Sequence, residues 1–418
     1  MLMLNSKTCY NIGTFFVLLY VFFFQMMNKL LNFNLVLMAG FFFLFLSVIF
    51  SPKGKISFNT LLICAIMLFI GISIVRFALK SSSSGSVMDV LMTSVPFVIS
   101  VVLIFSLQAE DYKFIIRLVI IFSLINAAAT LYFYFDAASF SRFIEPLYNN
   151  NSESIISHTQ SGLTGNFTTN AIYLSLGLLS VFGITATYKK EKNKYWIAAL
   201  ILLSVTLLLT AKRGHLLFSV ATILFLYFLN ERGKNNISKM ITNIGLCLAL
   251  VFIFYALTLF IPELSVIFER FTASEITNGR IPLYYAAVQM FIKNPVFGIG
   301  WGMFKFEFSS YVKLHIEYIE VHNVYLQLLA ETGAAGFIVF IMFFINNIGS
   351  AVRLFTNPVY RERLTKDMIS GLNFSIGIQA FFLLYCMTGN PLYDIQMYLP
   401  YCFACSVGKK IKEQVIFY

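Results

Sequence analysis

The sequence predicts an all-α polytopic integral membrane protein with about 12 transmembrane helices, and three observations support this prediction. Of its 418 residues, 59% are hydrophobic and only 12% are charged, whereas soluble domains are about 45–50% apolar and about 25% charged. The apolar residues form runs close to the roughly 20 residues that a helix needs to cross a bilayer. No polar stretch between the runs is long enough to bury a core of its own. We therefore expect a single membrane domain over residues 1–418.

Twelve apolar runs are candidate spans. They cover about residues 10–26, 33–50, 58–77, 87–107, 114–135, 166–187, 195–211, 214–229, 240–262, 323–347, 368–388 and 393–408. The first run has no small-residue cleavage site after it, which favours a retained span over a removed signal peptide. The last run is short and contains Pro400.

The basic residues predict how the spans are oriented. Short cytoplasmic loops collect Lys and Arg, and an N-terminus inside the cell places 19 of the 30 basic residues in cytoplasmic loops. Both termini are then cytoplasmic. The formal net charge of +11 is spread over short groups between apolar runs, a pattern that does not form a nucleic-acid-binding face.

Two long connections face outward on this topology. The first spans residues 136–165, and the second, between spans nine and ten, covers 263–322. The second contains an amphipathic helix that has Pro282 in its first turn and ends at Asn294-Pro295. Its apolar residues recur at helical spacing; they are Leu283, Ala286, Ala287, Met290 and Phe291. A long loop with internal structure usually has a function.

Titratable residues concentrate at the outer interface. The four histidines, which are His158, His215, His315 and His322, all fall on the outward side. Span centres contain few ionisable residues, whereas a proton-coupled transporter usually has them along its path. Cys402 and Cys405 form a CxxC without further ligands nearby, so we interpret both as packing residues.

The first candidate motif is Ala211-Lys212-Arg213-Gly214-His215, a basic turn between spans seven and eight. Basic residues on the outer face are disfavoured, and an Arg fork there suits a phosphate or diphosphate. The alternative is a turn whose cations reach lipid headgroups.

Two further motifs belong to the large outer loop, one within it and one at its end. Asn278-Gly279-Arg280 directly precedes the amphipathic helix, where a helix N-terminus adds to an anion site; alternatively Arg280 is a solvated loop residue. Val321-His322-Asn323 opens the tenth span, and His322 is a candidate general base or a structural residue. Glu331 lies about 13 Å deeper on the opposite side of that helix, too far to orient His322. We expect Gly333-Ala334-Ala335-Gly336 to mark close helix packing.

Together these motifs resemble the O-antigen ligase/polymerase superfamily. The resemblance rests on Asn278-Gly279-Arg280, on the following YYAAVQMFIKNPVFGIGWGMFKF and on HNVYLQLLAETGAAGF. Proteins of this superfamily share an arginine, an amphipathic helix, an N-P-x-x-G-x-G turn and a His-Asn that opens a membrane helix. The Lys212-Arg213-Gly214 turn resembles their other basic motif.

The resemblance implies a glycosyltransferase that acts on undecaprenyl-diphosphate-linked glycans at the outer face of the bacterial cytoplasmic (inner) membrane. It implies that Arg213 and Arg280 bind the donor diphosphate and that His322 activates the acceptor hydroxyl. Lys212, His215 and Asn323 would support them. The implied transfer inverts the anomeric carbon and uses no metal or other cofactor. His215 and His315 are alternative bases.

Two activities occur in the superfamily, and a third class of protein competes with both. Polymerases extend a lipid-linked repeat unit, whereas ligases transfer the finished chain to lipid A-core. Lys212 stands where ligases often carry Ser, so the resemblance is closer to surface-polysaccharide polymerases, which also allows a chain-length-regulating co-polymerase as partner. A flippase for lipid-linked oligosaccharide would need charge through the membrane depth, which this sequence lacks.

Overall fold

A computed structural model describes most of the chain, and the described part is helical. It covers residues 5–24, 34–50, 58–80, 94, 97–101, 111–147, 160–188, 194–231, 280–312 and 320–417. There, 84% of residues are helical and none is in a β-strand. The all-α prediction is confirmed for this part of the chain.

The helices are numbered here in chain order. They are α1 Ser6–Leu19, α2 Asn34–Ile49, α3 Phe58–Lys80, α4 Tyr112–Phe135, α5 Ala137–Phe143, α6 Phe167–Thr187, α7 Lys194–Leu209, α8 Arg213–Glu231, α9 Ile281–Lys293, α10 Phe304–Glu307, α11 Val324–Thr356, α12 Pro358–Glu362, α13 Lys366–Tyr385 and α14 Ile395–Phe417. A π-helical turn, Tyr20–Phe24, continues α1.

Ten of the twelve predicted runs coincide with helices of this structure. The other two, 87–107 and 240–262, lie largely or wholly outside the described residues. Six helical segments of the described part are long and apolar enough to cross a membrane: Ser6–Phe23, α4, α6, Arg213–Asn230, α11 and α13. The protein is therefore a multi-pass helical membrane protein, and the number of twelve spans stays a prediction.

Polar side chains set where several helices begin. The side chains of Asn166, Asn323 and Thr365 accept hydrogen bonds from backbone N–H groups in the first turns of α6, α11 and α13. Such caps satisfy donors that have no partner within the helix. They explain why these helices begin within two residues of the predicted span starts.

The chain divides into two compact units. Unit 1 comprises residues 1–25, 32–118 and 277–418, and unit 2 comprises 26–31 and 119–276. In unit 1, α11 contacts α3, α9, α13 and α14, so it is the central helix. In unit 2, α6 contacts both α7 and α8. The prediction of one membrane domain over 1–418 is not tested by this division.

Helix α11 is interrupted at Gly333. This residue has φ 64° and ψ −169° inside an otherwise helical segment, a combination that only glycine adopts readily. A Cβ atom on Gly333 would lie 2.4 Å from the backbone of Val296. Gly333 therefore permits the close approach of a loop, and not the helix-to-helix packing expected for the Gly333–Gly336 segment.

Candidate functional site

Arg280 occupies the N-cap position of α9. The helix begins at Ile281 with Pro282 in its first turn and is capped at its other end by Asn294, as the sequence predicts. The half-buried Arg280 side chain donates from Nη1 to the Thr388 carbonyl, 2.7 Å away. It is therefore held in place by the connection between α13 and α14, and it is not a freely solvated loop residue.

His322 directly precedes the N-cap of α11. The Asn323 side chain accepts a hydrogen bond from the Leu326 N–H at 3.1 Å, which caps the helix. His322 itself is half-buried and has φ 55°, in the left-handed region that non-glycine residues seldom adopt. Because α11 begins directly after the Asn323 cap, His322 is held next to the start of this helix.

Arg280 and the start of α11 contact the same connection, residues 386–394. The Val324 N–H donates to the Cys386 carbonyl at 2.9 Å, so the start of α11 is anchored two residues before the carbonyl that binds Arg280. The structure therefore gathers the starts of α9 and α11 around one segment, although 263–279 and 313–319 lie outside the described residues.

A pair of half-buried carboxyl groups, Glu320 and Asp394, belongs to the same region. Glu320 accepts a hydrogen bond from the Asn390 side chain. Burial raises the pKa of Glu320, and this effect outweighs the lowering by the Asn390 hydrogen bond and by the charge of Lys305. Burial, together with the negative charge of Glu320, raises the pKa of Asp394 to about 8. Two neighbouring carboxyl groups that are poorly solvated cannot both ionise easily, so the pair retains a proton near neutral pH.

A glycine-rich turn, residues 294–302, packs into the interruption of α11. Ile299 and Gly300 donate backbone hydrogen bonds to the carbonyls of Ala330 and Glu331, at 3.0 and 2.8 Å. In return, the N–H groups of Ala334 and Ala335 donate to the carbonyls of Pro295 and Val296, at 2.8 and 3.1 Å. The turn therefore satisfies backbone groups that the break in the helix leaves unpaired.

Glu331 holds the end of this turn. Its side chain is fully buried and accepts four hydrogen bonds; the donors are the N–H groups of Gly302 and Phe304, the Gln327 amide and the Tyr393 hydroxyl, at 2.9, 3.2, 3.2 and 2.7 Å. A buried carboxylate is stable only when it is bonded in this way. Glu331 is thus a positioning residue of the turn, in agreement with the prediction that it does not orient His322.

The basic turn of unit 2 opens α8. Arg213 is the first residue of this helix and is half-buried. Among the described residues, no group accepts a hydrogen bond from its guanidinium. The Lys212 Nζ lies 3.9 Å from the centre of the Phe167 ring, a cation–π contact. His215 is buried in the first turn of α8.

The two predicted motifs share an unusual backbone feature. In the described part of the chain, only Ala211 and His322 are non-glycine residues with positive φ, at 53° and 55°. Ala211 precedes Lys212-Arg213, and His322 precedes the cap of α11. Such conformations cost about 1–3 kcal/mol and cluster at functional sites. This observation therefore favours both motifs independently of their residue types.

Sequence reasoning missed Glu320, Asn390 and Asp394. Glu320 lies only two residues before His322, and Asp394 lies at the start of the last predicted span, 393–408. Their positions beside a motif and at a span boundary were the available signal. The described residues bring no three His, Cys, Asp or Glu side chains together in a metal-binding arrangement. Asn278, Gly279, His158 and His315 lie outside the described residues.

These features define a class: a multi-pass helical membrane protein whose predicted site residues lie at helix starts. Residues 198–341, about a third of the chain, match the family model described as O-antigen ligase. The match includes Arg213, Arg280 and His322, and it confirms the resemblance to the O-antigen ligase/polymerase superfamily. Members of this family are membrane glycosyltransferase-like enzymes of surface-polysaccharide synthesis. No curated protein shows significant similarity to the chain.

Proposed function

We propose that this protein is a polymerase of undecaprenyl-diphosphate-linked oligosaccharide repeat units for O-antigen or another surface polysaccharide. The observation that carries the proposal is the placement of Arg213 and Arg280 at the starts of α8 and α9. A helix N-terminus already carries partial positive charge. Adding a guanidinium there is unfavourable unless an anion binds, and a diphosphate is such an anion.

The proposed reaction is an inverting glycosyl transfer. The acceptor hydroxyl oxygen attacks the anomeric carbon of the donor, and His322 accepts the hydroxyl proton. The bond between the anomeric carbon and the diphosphate oxygen breaks, and the diphosphate leaves with the electron pair. Arg213 and Arg280 bind phosphate oxygens and stabilise the negative charge that develops on them.

We assign the base to His322 because it is accessible and pre-positioned. His322 is half-buried at the start of α11, whereas His215 is buried within the first turn of α8. A base has to come within hydrogen-bonding distance of the hydroxyl that it deprotonates. His215, Lys212 and Asn323 have supporting roles in this proposal, and Asn323 contributes by capping α11.

A gene deletion tests the activity. We expect gels of surface polysaccharide from the deletion strain to show lipid A-core bearing one repeat unit, because single units are still transferred when polymerisation stops. Bare core with lipid-linked polymer retained in the membrane would instead indicate a ligase. Repeat units that accumulate on the inner leaflet would indicate a flippase, and either result would overturn the proposal.

Complementation of that strain tests the site. We expect Arg213→Ala, Arg280→Ala and His322→Ala each to reduce polymer at least about 100-fold while the protein still inserts, since each removes a group that acts in the transition state. The matched control is Arg353→Ala, which removes an exposed arginine at the other end of α11. Full polymer from all three site variants would refute the assignment. Recovery with Arg213→Lys would show that a point charge suffices there.

A further inference from the structure

Helix α9 is apolar on two opposite faces. Leu283, Ala286, Ala287 and Met290 are buried, as the predicted amphipathic pattern requires. The opposite face is also apolar but exposed; it comprises Ile281, Tyr285, Val288 and Ile292. A helix in an aqueous loop would place charged side chains on that face. The exposed apolar face therefore indicates contact with a non-aqueous medium.

The exposed apolar surface continues into the turn that follows α9. Val296 and Phe297 are both exposed, Phe297 to 61%. The Phe297 ring packs against the Phe69 ring of α3, with 6.4 Å between ring centres. Helix α3 has its own exposed apolar stripe, at Leu61, Leu68, Ile72 and Val75. One apolar surface thus runs from α9 through the turn onto the 23-residue helix α3.

Two independent helices give the same depth for this turn. Gly333, which contacts Val296, lies nine residues into α11, about 14 Å from the start of that helix at about 1.5 Å per residue. Phe69 lies eleven residues from either end of α3, about 16 Å from each. Half of a hydrocarbon core of about 30 Å is about 15 Å. The tip of the turn therefore lies near the middle of the bilayer.

The backbone of the turn is suited to that depth. Within a bilayer, unpaired backbone groups cost several kcal/mol each, so non-helical segments survive only where their polar groups are satisfied. Gly298, Ile299 and Gly300 donate to the carbonyls of Asn294, Ala330 and Glu331. Further along the chain, the N–H groups of Gly302 and Phe304 donate to the Glu331 carboxylate. The buried Glu331 carboxylate thus accepts hydrogen bonds from N–H groups that water does not reach at this depth.

We propose that residues 281–302 form a re-entrant membrane segment whose exposed face contacts the acyl chains of the bilayer. This part of the predicted 263–322 outer loop then lies inside the membrane, with α9 descending from the outer surface and the 294–302 turn at mid-depth. The proposal concerns where the segment lies and does not depend on the reaction.

Depth-dependent fluorescence quenching tests this inference. An environment-sensitive fluorescent amino acid replaces Phe297 or Ile281 in the full-length protein, reconstituted in phosphatidylcholine vesicles with acyl chains brominated near the headgroup or near the chain end. We expect the probe at 297 to be quenched several-fold more by bromine near the chain end, and the probe at 281 more by bromine near the headgroup. The matched control is Val359 of α12, which is 59% exposed and lies in a predicted cytoplasmic loop.

Soluble iodide supplies the opposing measurement. We expect iodide to quench the probe at 297 several-fold less than the probe at 359. Equal iodide quenching at the two positions would overturn the inference, because it would place the turn in water. Protection of position 297 from both iodide and every brominated lipid would also overturn it, because protein would then cover this face. The Ile281 variant leaves the turn intact if the Phe297 variant does not fold.

Discussion

At the scale of single residues, the region around residues 386–394 combines Arg280, at the start of α9, with a half-buried acid pair. Arg280 is oriented by the Thr388 carbonyl, and His322 is held in a left-handed conformation next to the Asn323 cap. The nearby carboxyl groups of Glu320 and Asp394 have raised pKa values because burial disfavours their charged forms. The acid pair is the residue-scale feature that predicts a dependence on pH.

The raised pKa of Asp394 predicts that the protein becomes less stable as the pH rises. An unfolded Asp has a pKa of about 3.9, and the folded value is about 8. The contribution of protonated Asp394 to the free energy of unfolding is largest below about pH 4 and is lost as the pH rises toward about 8. We expect the midpoint of thermal unfolding in detergent to fall over this window by several degrees more for the wild type than for Asp394→Asn.

The control for this measurement is Glu362→Gln, because Glu362 is an exposed carboxyl group of α12. We expect this variant to keep the wild-type slope between pH 4 and pH 8. Parallel slopes for the wild type and Asp394→Asn would contradict the assignment of a raised pKa to Asp394.

At the scale of elements, the interrupted helix α11 and the 294–302 turn stabilise each other. Gly298 and Gly333 both have φ 64°, and a Cβ atom on either would lie 2.4 Å from the backbone of the other segment. Neither backbone can retreat without breaking the four hydrogen bonds that join them. The two glycines therefore determine whether the turn can pack into the helix.

We expect Gly333→Ala to destabilise the protein by more than about 3 kcal/mol, because it combines a steric clash with left-handed strain. Loss of folded protein in size-exclusion chromatography and a lower midpoint of thermal unfolding would show this effect. Gly349→Ala is the matched control in the same helix, since a Cβ atom there meets nothing within 4 Å. That change should be neutral or stabilising by up to about 1 kcal/mol. Equal stabilities of the two variants would refute the steric argument.

At the scale of the whole molecule, the apolar helices and the basic residues between them predict the membrane topology. The connection between the membrane-length helices α11 and α13 is short and basic: it contains Arg361 and Arg363, and Lys366 is the first residue of α13. An exposed ion pair between Lys113 and Asp367, at 2.5 Å, joins the first turns of α4 and α13. These groups belong to the face that the charge pattern predicts to be cytoplasmic.

The topology makes a further prediction about the C-terminus. We expect a green fluorescent protein fused after Tyr418 to fluoresce, and an alkaline phosphatase fused there to be inactive, because the C-terminus is predicted to be cytoplasmic. Phosphatase fused after Ser310, in the predicted outer loop, should be active and serves as the control. An active phosphatase at position 418 would overturn the predicted orientation.

The sequence by itself determined the helical class and most helix boundaries, and it predicted the three motif residues Arg213, Arg280 and His322. These features depend on local properties: the length of apolar runs, capping residues, and motif spacing within a short stretch of chain. The helix from Ile281 to Lys293, including its buried face, could be predicted for the same reason.

Only the tertiary structure decided the interruption at Gly333, the four-donor environment of Glu331 and the pairing of Glu320 with Asp394. Each depends on contacts between residues that are distant in sequence: Glu331 bonds to Gly302 and Tyr393, and Glu320 lies near Asp394. A Gly-Ala-Ala-Gly run has the same local pattern whether a helix or a loop packs against it. The three-dimensional path of the 294–302 turn, which the run does not encode, made Gly333 a break in the helix.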